Sequence, residues 1–134
     1  MRAFTLRLQD ATHAEEIAGV TSFVGEDGSG SFGILAGHAR FMSTLGIGLA
    51  RFRIGEADWR YLALPGAVLY FRDDLLTLST RRYLLDDDYD RISRTLQQQL
   101  LVEEERLQGM KESLRHMEEE ILRRLWETGR RGMG

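Results

Sequence analysis

The residues whose types and spacing most resemble a chemical site lie between positions 28 and 37. Gly28, Gly30 and Gly33 match the spacing G-x-G-x-x-G, which lets a backbone approach the pyrophosphate of a dinucleotide. That chemistry also needs a helix directly after the glycines, with its N-terminus at the phosphates. Residues 34–37 (Ile-Leu-Ala-Gly) are a poor helix start, and the only lysine, Lys111, is distant in sequence. The pattern therefore argues against a dinucleotide, kinase or P-loop site.

The other candidate ligands and nucleophiles are poorly placed for chemistry. Asp86, Asp88 and Asp90 alternate as in an EF-hand, but the loop glycine is missing and Gln97 stands where that loop needs glutamate. The histidines have no i, i+4 partner and no H-E-x-x-H motif; they are His13, His38 and His116. No serine occupies a G-x-S-x-G elbow, and cysteine is absent. We therefore expect no catalytic residue, no metal site and no cofactor.

The composition is that of a globular chain without a strong charge bias. Of its 134 residues, 43% are apolar and 29% charged. Acids and arginines balance over residues 1–85, so the net charge of −3 arises in residues 86–134. No basic face is evident, so we expect no nucleic-acid partner. The chain also lacks a signal-peptide pattern and an apolar run of the roughly 18–20 residues that span a bilayer, so we expect neither export nor membrane insertion.

The elements that position the residues of the first half of the chain are predicted to be β-strands. Short segments with apolar residues at alternate positions, separated by glycine, proline or aspartate turns, predict an antiparallel β-sandwich over residues 1–84. The segments are 4–9, 17–24, 32–35, 45–54, 59–64, 67–71 and 75–80. Residues 25–30 are predicted as a loop, and residues 33–39 as a sharp bend. His38 follows this bend, either as a hydrogen-bonded turn residue or as a contact to a partner protein.

From Asp86 onward the apolar period lengthens and predicts a helical arm over residues 85–128. Its stripe consists of Leu96, Leu100, Leu107, Met110, Leu114, Met117, Ile121 and Leu125. The aspartates at 86–88 are expected to cap the first turn. A stripe of this length predicts either a hairpin that folds back at Gly109 or one long helix that pairs with a helix of another protein. Residues 129–134 are predicted to be a disordered tail.

The order of the elements and several segments resemble a known family. Residues 30–39 (Gly-Ser-Phe-Gly-Ile-Leu-Ala-Gly-His-Ala) are similar to the G-x-L-G-I-L-P-G-H-A hallmark of the ε subunit of F-type rotary ATP synthases. Residues 64–71 and 75–79 resemble that family's S-G-G-hydrophobic strand and the V-T-V-L strand after it. Residues 20–27 and 59–66 look like the alternate bacterial branch, sometimes called N-ATPases.

The resemblance implies a non-catalytic rotor subunit at the foot of the central stalk, peripheral to the cytoplasmic face of a bacterial inner membrane. One side of the sandwich would contact the γ subunit and the other the polar loops of the membrane c-ring, whose coupling ion is a proton or sodium. The positions that match the γ contact are Gly37, His38 and Ala39. The positions assigned to the c-ring contact are Glu26, Asp27, Gly30 and Ser31. The family often has an acid at the position of Ser31, and Glu26 and Asp27 would supply that charge here.

The resemblance also implies a regulatory arm that can extend along the stalk and hinder ATP hydrolysis. Its basic residues would meet acidic segments of the catalytic β subunits, and the candidates are Arg115, Arg123 and Arg124. Some members bind ATP through I/L-D-x-x-R-A. Residues 89–94 read Tyr-Asp-Arg-Ile-Ser-Arg, with the arginine one place late, so ATP is not expected as a cofactor.

An alternative interpretation of the function does not depend on the resemblance to a family. The chain would then be a free-standing β-sandwich adaptor that dimerises through its helical arm as a coiled coil. The mass of the isolated chain discriminates between the two, because a monomer favours the subunit and a stable parallel dimer favours the adaptor.

Overall fold

The structure is a computed structural model that describes residues 2–132. Its strands are β1 (Phe4–Gln9), β2 (Ala14–Asp27), β3 (Gly30–Ile34), β4 (Phe41–Leu45), β5 (Gly48–Ile54), β6 (Arg60–Leu64), β7 (Ala67–Arg72), β8 (Leu75–Thr80) and β9 (Leu84–Asp86). They are followed by helix α1 (Tyr89–Thr95), a π-helical turn (Leu96–Leu100) and helix α2 (Leu101–Gly132). The chain divides into two compact units, one ending at Leu101 and one beginning at Val102.

The strands of the first unit form a sandwich in which β2 belongs to both layers. Hydrogen-bonded neighbours follow the order β4-β7-β8-β1-β2-β5-β6-β9, and β3 also pairs with β2. The β1–β8 pair is parallel, and the other pairs are antiparallel. Residues 14–20 of β2 pair with β1, and residues 20–27 pair with β3 and β5. The β1 ladder shifts register between Ile17 and Val20, beside Gly19, whose φ is +74°. The β5 ladder shifts at Thr21, between Val20 and Ser22. A bulge of this kind bends a strand, so one long strand serves two layers.

The core is filled by the alternate residues predicted to face inward. Phe4, Leu6 and Leu8 of β1 are buried, as are the inward residues of the other long strands, including Phe23, Phe52 and Phe71. The Phe4 and Phe71 rings meet edge to face at 5.5 Å between centroids. Burying one such side chain is worth about 1.5–3 kcal/mol. The predicted β-sandwich followed by a helical arm is confirmed.

Two boundaries inside the sandwich differ from the sequence-based prediction. The predicted loop at 25–30 is wrong in extent, because β2 continues to Asp27 and only Gly28 and Ser29 separate it from β3. Gly25 lies inside the strand, where an added Cβ would stand 3.0 Å from the ring of Phe32 and 3.1 Å from that of Phe23. This glycine therefore makes room for aromatic rings and does not form a turn. The segment predicted as one strand at 45–54 is two strands, since β4 ends at Leu45 and β5 begins at Gly48.

Helix α1 and the π-helical turn pack on the outer surface of the second layer. Ile92 and Leu100 are buried there with Ala63 of β6, and Leu49, Tyr61, Leu84 and Leu96 pack around them. The two compact units divide after Leu101, because these helical residues bury their apolar side chains on β6 and β9.

Hydrogen bonds fix the junction between strand and helix. The Asp88 side chain accepts from the backbone N–H of Arg91 and caps α1, as the aspartate run predicts. Asp86, however, ends strand β9, and both its carboxylate oxygens accept from the Arg91 guanidinium. These hydrogen bonds hold the pKa of Asp86 well below its ordinary value. The chain thus enters α1 in a fixed orientation.

The second unit is one helix and not a hairpin. Helix α2 continues through Gly109, which selects the single long helix from the two predicted arrangements. It includes residues 129–132, part of the predicted disordered tail, while residues 133 and 134 lie outside the described residues. The predicted stripe is exposed along α2 at Met110, Leu114, Met117, Ile121 and Leu125. No helix among the described residues is long and apolar enough to cross a bilayer.

Candidate functional site

The bend after β3 is a tight turn that depends on one glycine. The backbone N–H of His38 donates to the carbonyl of Leu35 at 3.1 Å, which closes a four-residue turn. Gly37, at its third position, has φ of +81°. Type II turns place a left-handed residue there, so glycine is the natural occupant. The predicted bend at 33–39 is therefore present, and Gly37 is the residue that permits it.

A second turn holds the bend from the side. Asp73 and Asp74 both have positive φ in the two-residue connection between β7 and β8, which is typical of a hairpin turn with aspartate. The Asp74 carboxylate accepts the backbone N–H of Gly37 at 2.7 Å and lies 3.7 Å from the guanidinium of Arg2. The sequence reasoning did not assign Asp74 or Arg2 to this site. The Asp-Asp pair between two strands was the available signal.

His38 lies at the rim of the sandwich, exposed but in contact with aromatic rings. Its ring meets Phe41 at 5.7 Å and Phe71 at 5.9 Å between centroids, both edge to face. Its Nδ1 lies 2.7 Å from the carbonyl oxygen of Ala39. His38 is therefore both a hydrogen-bonded turn residue and a group that a partner can reach. Contact of Gly37, His38 and Ala39 with a partner stays a prediction.

The four residues predicted to form a c-ring contact lie together on the β2–β3 hairpin. Glu26 pairs with Ser31 and Asp27 with Gly30 across the two strands. The Ser31 hydroxyl donates to the Glu26 carboxylate at 3.4 Å. Sequence order alone brings these residues close, and the two-residue turn fixes them at one tip.

Asp27 is the fixed charge of this hairpin tip. Its carboxylate accepts from the Ser29 hydroxyl and backbone N–H, and from the Ser43 hydroxyl of β4 at 2.7 Å. These hydrogen bonds, led by that from the Ser29 hydroxyl, lower the pKa of Asp27. The tip therefore presents an ionised, oriented carboxylate, whereas Glu26 is exposed to solvent. Ser43 had not been identified from the sequence.

The outer surface of the first layer offers a broad face with few charges, which we call the neutral face. It contains two rows of cross-strand neighbours on β4, β7, β8 and β1, and the rows are Met42, Tyr70, Thr77 and Arg7, and Thr44, Val68, Ser79 and Gln9. Met42 is 67% exposed and Val68 48% exposed. Arg7 is the only charged residue in the two rows. A face of this composition is suited to a protein contact.

The three arginines predicted for the regulatory arm all lie on α2, in the second unit. Arg123 and Arg124 approach the carboxylate of Glu120 at 4.0 and 3.3 Å, and Arg115 is exposed roughly two turns before them. Glu120 and Arg124 stand at i and i+4, a spacing at which an acid and a base can pair on a helix. Two of these three charges are thus partly balanced within the helix.

No group of three or more acidic or histidine side chains in the described part of the chain is arranged to hold a metal ion. In the first unit His13 lies between β1 and β2 and His38 lies at the rim, while His116 lies on α2 in the second unit. What the described residues offer is a set of surfaces on a rigid scaffold. The hairpin tip, the rim at His38 and the neutral face are exposed surfaces of the first unit.

Comparison with known proteins identifies relatives of this scaffold. Residues 5–85 match the family model described as ATP synthase, Delta/Epsilon chain, beta-sandwich domain. An ATP synthase epsilon chain 2 of Cereibacter sphaeroides is 34% identical over 85 residues, which cover 63% of this chain and 58% of the relative. An ATP synthase epsilon chain 2 of Paraburkholderia xenovorans is 38% identical over 87 residues, covering 62% of this chain and 63% of the relative. The matched region thus spans about three fifths of these relatives.

Solved structures share the fold at low sequence identity. A chain of the Euglena gracilis mitochondrial ATP synthase, solved as OSCP/F1/c-ring, superposes with a TM-score of 0.56 at 16% identity, covering 69% of this chain and 60% of that one. A chain of the Tetrahymena thermophila mitochondrial ATP synthase, solved as central stalk and c-ring, superposes with a TM-score of 0.52 at 10% identity, covering 62% and 66%. At these identities the likeness concerns the fold alone.

Proposed function

This chain belongs to the delta/epsilon chain family of ATP synthases, and from that premise we propose that it is a non-catalytic subunit of the central stalk. In this role it links a γ subunit to a membrane c-ring and turns with them. It would lie peripherally at the cytoplasmic face of a bacterial inner membrane. The proposal is supported by the family membership of residues 5–85 and by the exposed surfaces of the sandwich.

The neutral face is the observation that carries the proposal. A sheet face exposed to water in a free protein is usually rich in charged side chains. Here the centre of the face, Val68 with its neighbours Thr44 and Ser79, is uncharged, and Met42 is two-thirds exposed. We assign this face, with the adjacent rim at His38, to contact with γ. The rim joins the face through β4, which begins three residues after His38.

The β2–β3 hairpin is assigned to the c-ring. Its tip carries the ionised Asp27, held by Ser29 and Ser43, and the exposed Glu26 beside Ser31. A fixed carboxylate at a narrow tip suits the polar loops of a ring of small subunits. The charge that Ser31 does not supply then comes from Glu26 and Asp27.

Helix α2 is assigned to regulation. It combines an exposed apolar stripe with Arg115, Arg123 and Arg124. In the assembled complex the stripe would pack on γ, and the arginines would face acidic segments of the catalytic β subunits. Such a helix would hinder rotation in the hydrolysis direction.

One pair of variants tests the γ assignment. Val68→Asp places a charge at the centre of the neutral face, and we expect at least a tenfold loss of γ in co-purification with the γ subunit and c-ring. Ala11→Asp adds the same charge in the exposed β1–β2 turn and should leave co-purification unchanged. Retention of γ by the Val68 variant, folded as judged by its circular dichroism, would contradict the assignment.

A truncation tests the regulatory role. Removal of residues 102–134 keeps α1 and the sandwich, which form one compact unit. We expect assembly to be retained and ATP hydrolysis by the complex to rise several-fold. Hydrolysis at the wild-type rate in the truncated complex would refute inhibition by α2 and leave the stalk role intact.

The adaptor stays the alternative because α2 exposes an apolar stripe over several turns. A coiled-coil dimer would bury this stripe. Light scattering of the isolated chain separates the two, because the proposed subunit is a monomer. A dimer that dissociates after Leu114→Glu would favour the adaptor.

A further inference from the structure

Trp59 holds two arginines against one indole ring. The Cζ atom of Arg51 lies 4.6 Å from the ring centroid, and the Cζ atom of Arg53 lies 4.8 Å from it. Both distances fall within the roughly 6 Å over which a guanidinium is attracted to an aromatic face. Two positive charges are therefore held within about 10 Å of each other.

The strand and the hairpin fix this arrangement. Arg51 and Arg53 flank Phe52, whose ring is buried in the core, so both arginines project from the outer surface of the second layer. The Nε and Nη2 atoms of Arg53 donate to the carbonyl of Ala57 at 3.2 and 3.1 Å. The guanidinium of Arg51 is exposed above the sheet. The positions of these cations are thus set before any ligand arrives.

Neither charge forms an ion pair in the described part of the chain, although Glu26 lines one cavity with Arg51. Neither guanidinium lies within 4.0 Å of an acidic oxygen there. Glu56 and Asp58 lie in the same hairpin but make no ion pair with Arg51 or Arg53. By contrast, Arg91 is paired within the same unit. Like charges that are held together and left unpaired favour the binding of an anion.

We infer that Arg51, Trp59 and Arg53 form a docking platform for an acidic segment of a partner protein. The segment presents two carboxylates about one helical turn apart. A guanidinium offers a fork of N–H donors that matches a carboxylate with two parallel hydrogen bonds. Carboxylates at i and i+4 stand on one face of a helix, with Cβ atoms about 5–6 Å apart. This spacing lies within the upper limit of about 10 Å on the separation of the two guanidiniums.

The platform lies on a different layer from the neutral face. The neutral face belongs to the first layer, whereas Arg51 and Arg53 belong to β5 in the second. Arg53 pairs with Ser22, while Arg51 pairs with Val24 and lines one cavity with Glu26 and Ser31 of the β2–β3 hairpin. A partner bound at the platform would leave the neutral face accessible.

Fluorescence of the full-length chain tests the platform. In a Trp126→Phe background Trp59 is the only tryptophan, so its emission reports directly on the flanking guanidiniums. The probe is an alanine-rich helical peptide with glutamates at i and i+4, compared with the same peptide carrying glutamines. We expect saturable binding of the glutamate peptide with a change in Trp59 emission, and binding at least tenfold weaker for the glutamine peptide.

Substitutions locate the site. Arg51→Gln with Arg53→Gln should weaken binding of the glutamate peptide at least tenfold, measured by anisotropy of a labelled peptide. Arg72→Gln with Arg106→Gln removes the same net charge elsewhere and should leave binding unchanged. Trp59→Leu keeps both charges but removes the ring that both guanidiniums contact, and we expect several-fold weaker binding. Circular dichroism establishes that each variant is folded.

Several results would overturn the inference. They are the absence of binding by the glutamate peptide, equal binding of the glutamine peptide, and equal losses in the platform and control variants. Inorganic phosphate, and vesicles of phosphatidylcholine with phosphatidylglycerol, serve as competing probes. If either binds the platform more tightly than the glutamate peptide, and loses binding on substitution of Arg51 and Arg53, the ligand is a phosphate group and not an acidic protein segment.

Discussion

Replacement of Ile92 by alanine should destabilise the whole first unit. Ile92 lies on α1 but is only 1% exposed, because it packs with Ala63 and Leu100 on the outer surface of the sheet. The substitution removes three carbon atoms, worth about 0.8 kcal/mol for each buried methylene, and leaves a cavity. Measured isoleucine-to-alanine losses in cores are about 2–5 kcal/mol. The gain in helix propensity offsets only a few tenths of a kcal/mol.

We therefore expect the free energy of unfolding to fall by about 2–3 kcal/mol, which lowers the melting temperature by roughly 8–20 °C for a unit of this size. Urea denaturation followed by Trp59 emission measures the change, because Trp59 reports on the sandwich and not on the helix that is altered. Trp126→Phe removes the second tryptophan.

Two further variants make the test specific. Ile92→Val deletes one methylene and should cost about 0.5–1.5 kcal/mol. Leu114→Ala on α2 shortens a side chain that is 57% exposed and should change the free energy by less than about 0.5 kcal/mol. If Ile92→Ala behaves like Leu114→Ala, α1 does not fold together with the sandwich, and the reasoning that joins them in one unit fails.

Two other predictions concern the bend and the strand-to-helix junction. Gly37→Ala should lower the free energy of unfolding by about 1–2 kcal/mol, because a non-glycine residue is strained at left-handed φ. Gly46→Ala is the control, since there is open space around the added Cβ. Equal losses in the two variants would argue against the turn. Hydrogen bonds from Arg91 lower the pKa of Asp86 in the folded state. The ionised carboxylate therefore stabilises the folded state above the unfolded-state pKa of about 4, and this stabilisation is lost as the pH falls below that value. We therefore expect Asp86→Asn to be less stable than wild type at pH 7, with the difference shrinking towards pH 2.5, and a difference independent of pH would contradict the role of that carboxylate.

The sequence predicted the sandwich because strand periodicity is a local property. An alternation such as that of Phe4, Leu6 and Leu8 records which side of a strand faces the core, and both the bounds of β1 and those of β8 follow from it. Gly25 shows the limit of this reasoning. Gly25 lies two residues before the Asp27-Gly28 step, a pattern typical of a loop. Only the pairing of β2 with β3, which brings the rings of Phe23 and Phe32 beside Gly25, shows that it lies within a strand.

The candidate site was predictable where its residues are neighbours in sequence. Glu26, Asp27, Gly30 and Ser31 lie within six positions, so one hairpin gathers them. The partners of the bend were not predictable, because Asp74 reaches Gly37 only through the packing of β7 and β8 beside β4. The roles assigned to these residues in binding γ and the c-ring stay predictions.

The sequence by itself determined that this chain has strands followed by a helical arm, and its residues 30–39 showed the resemblance to the ε subunits of ATP synthases. The absence of a catalytic or metal site stays an expectation. The family membership of residues 5–85 agrees with that resemblance. Only the tertiary structure decided that α1 belongs to the sandwich, that the arm is one helix, and that Arg51 and Arg53 share one indole. The physical reason is that each depends on contacts between elements, and apolar periodicity records that a face is buried but not which surface buries it.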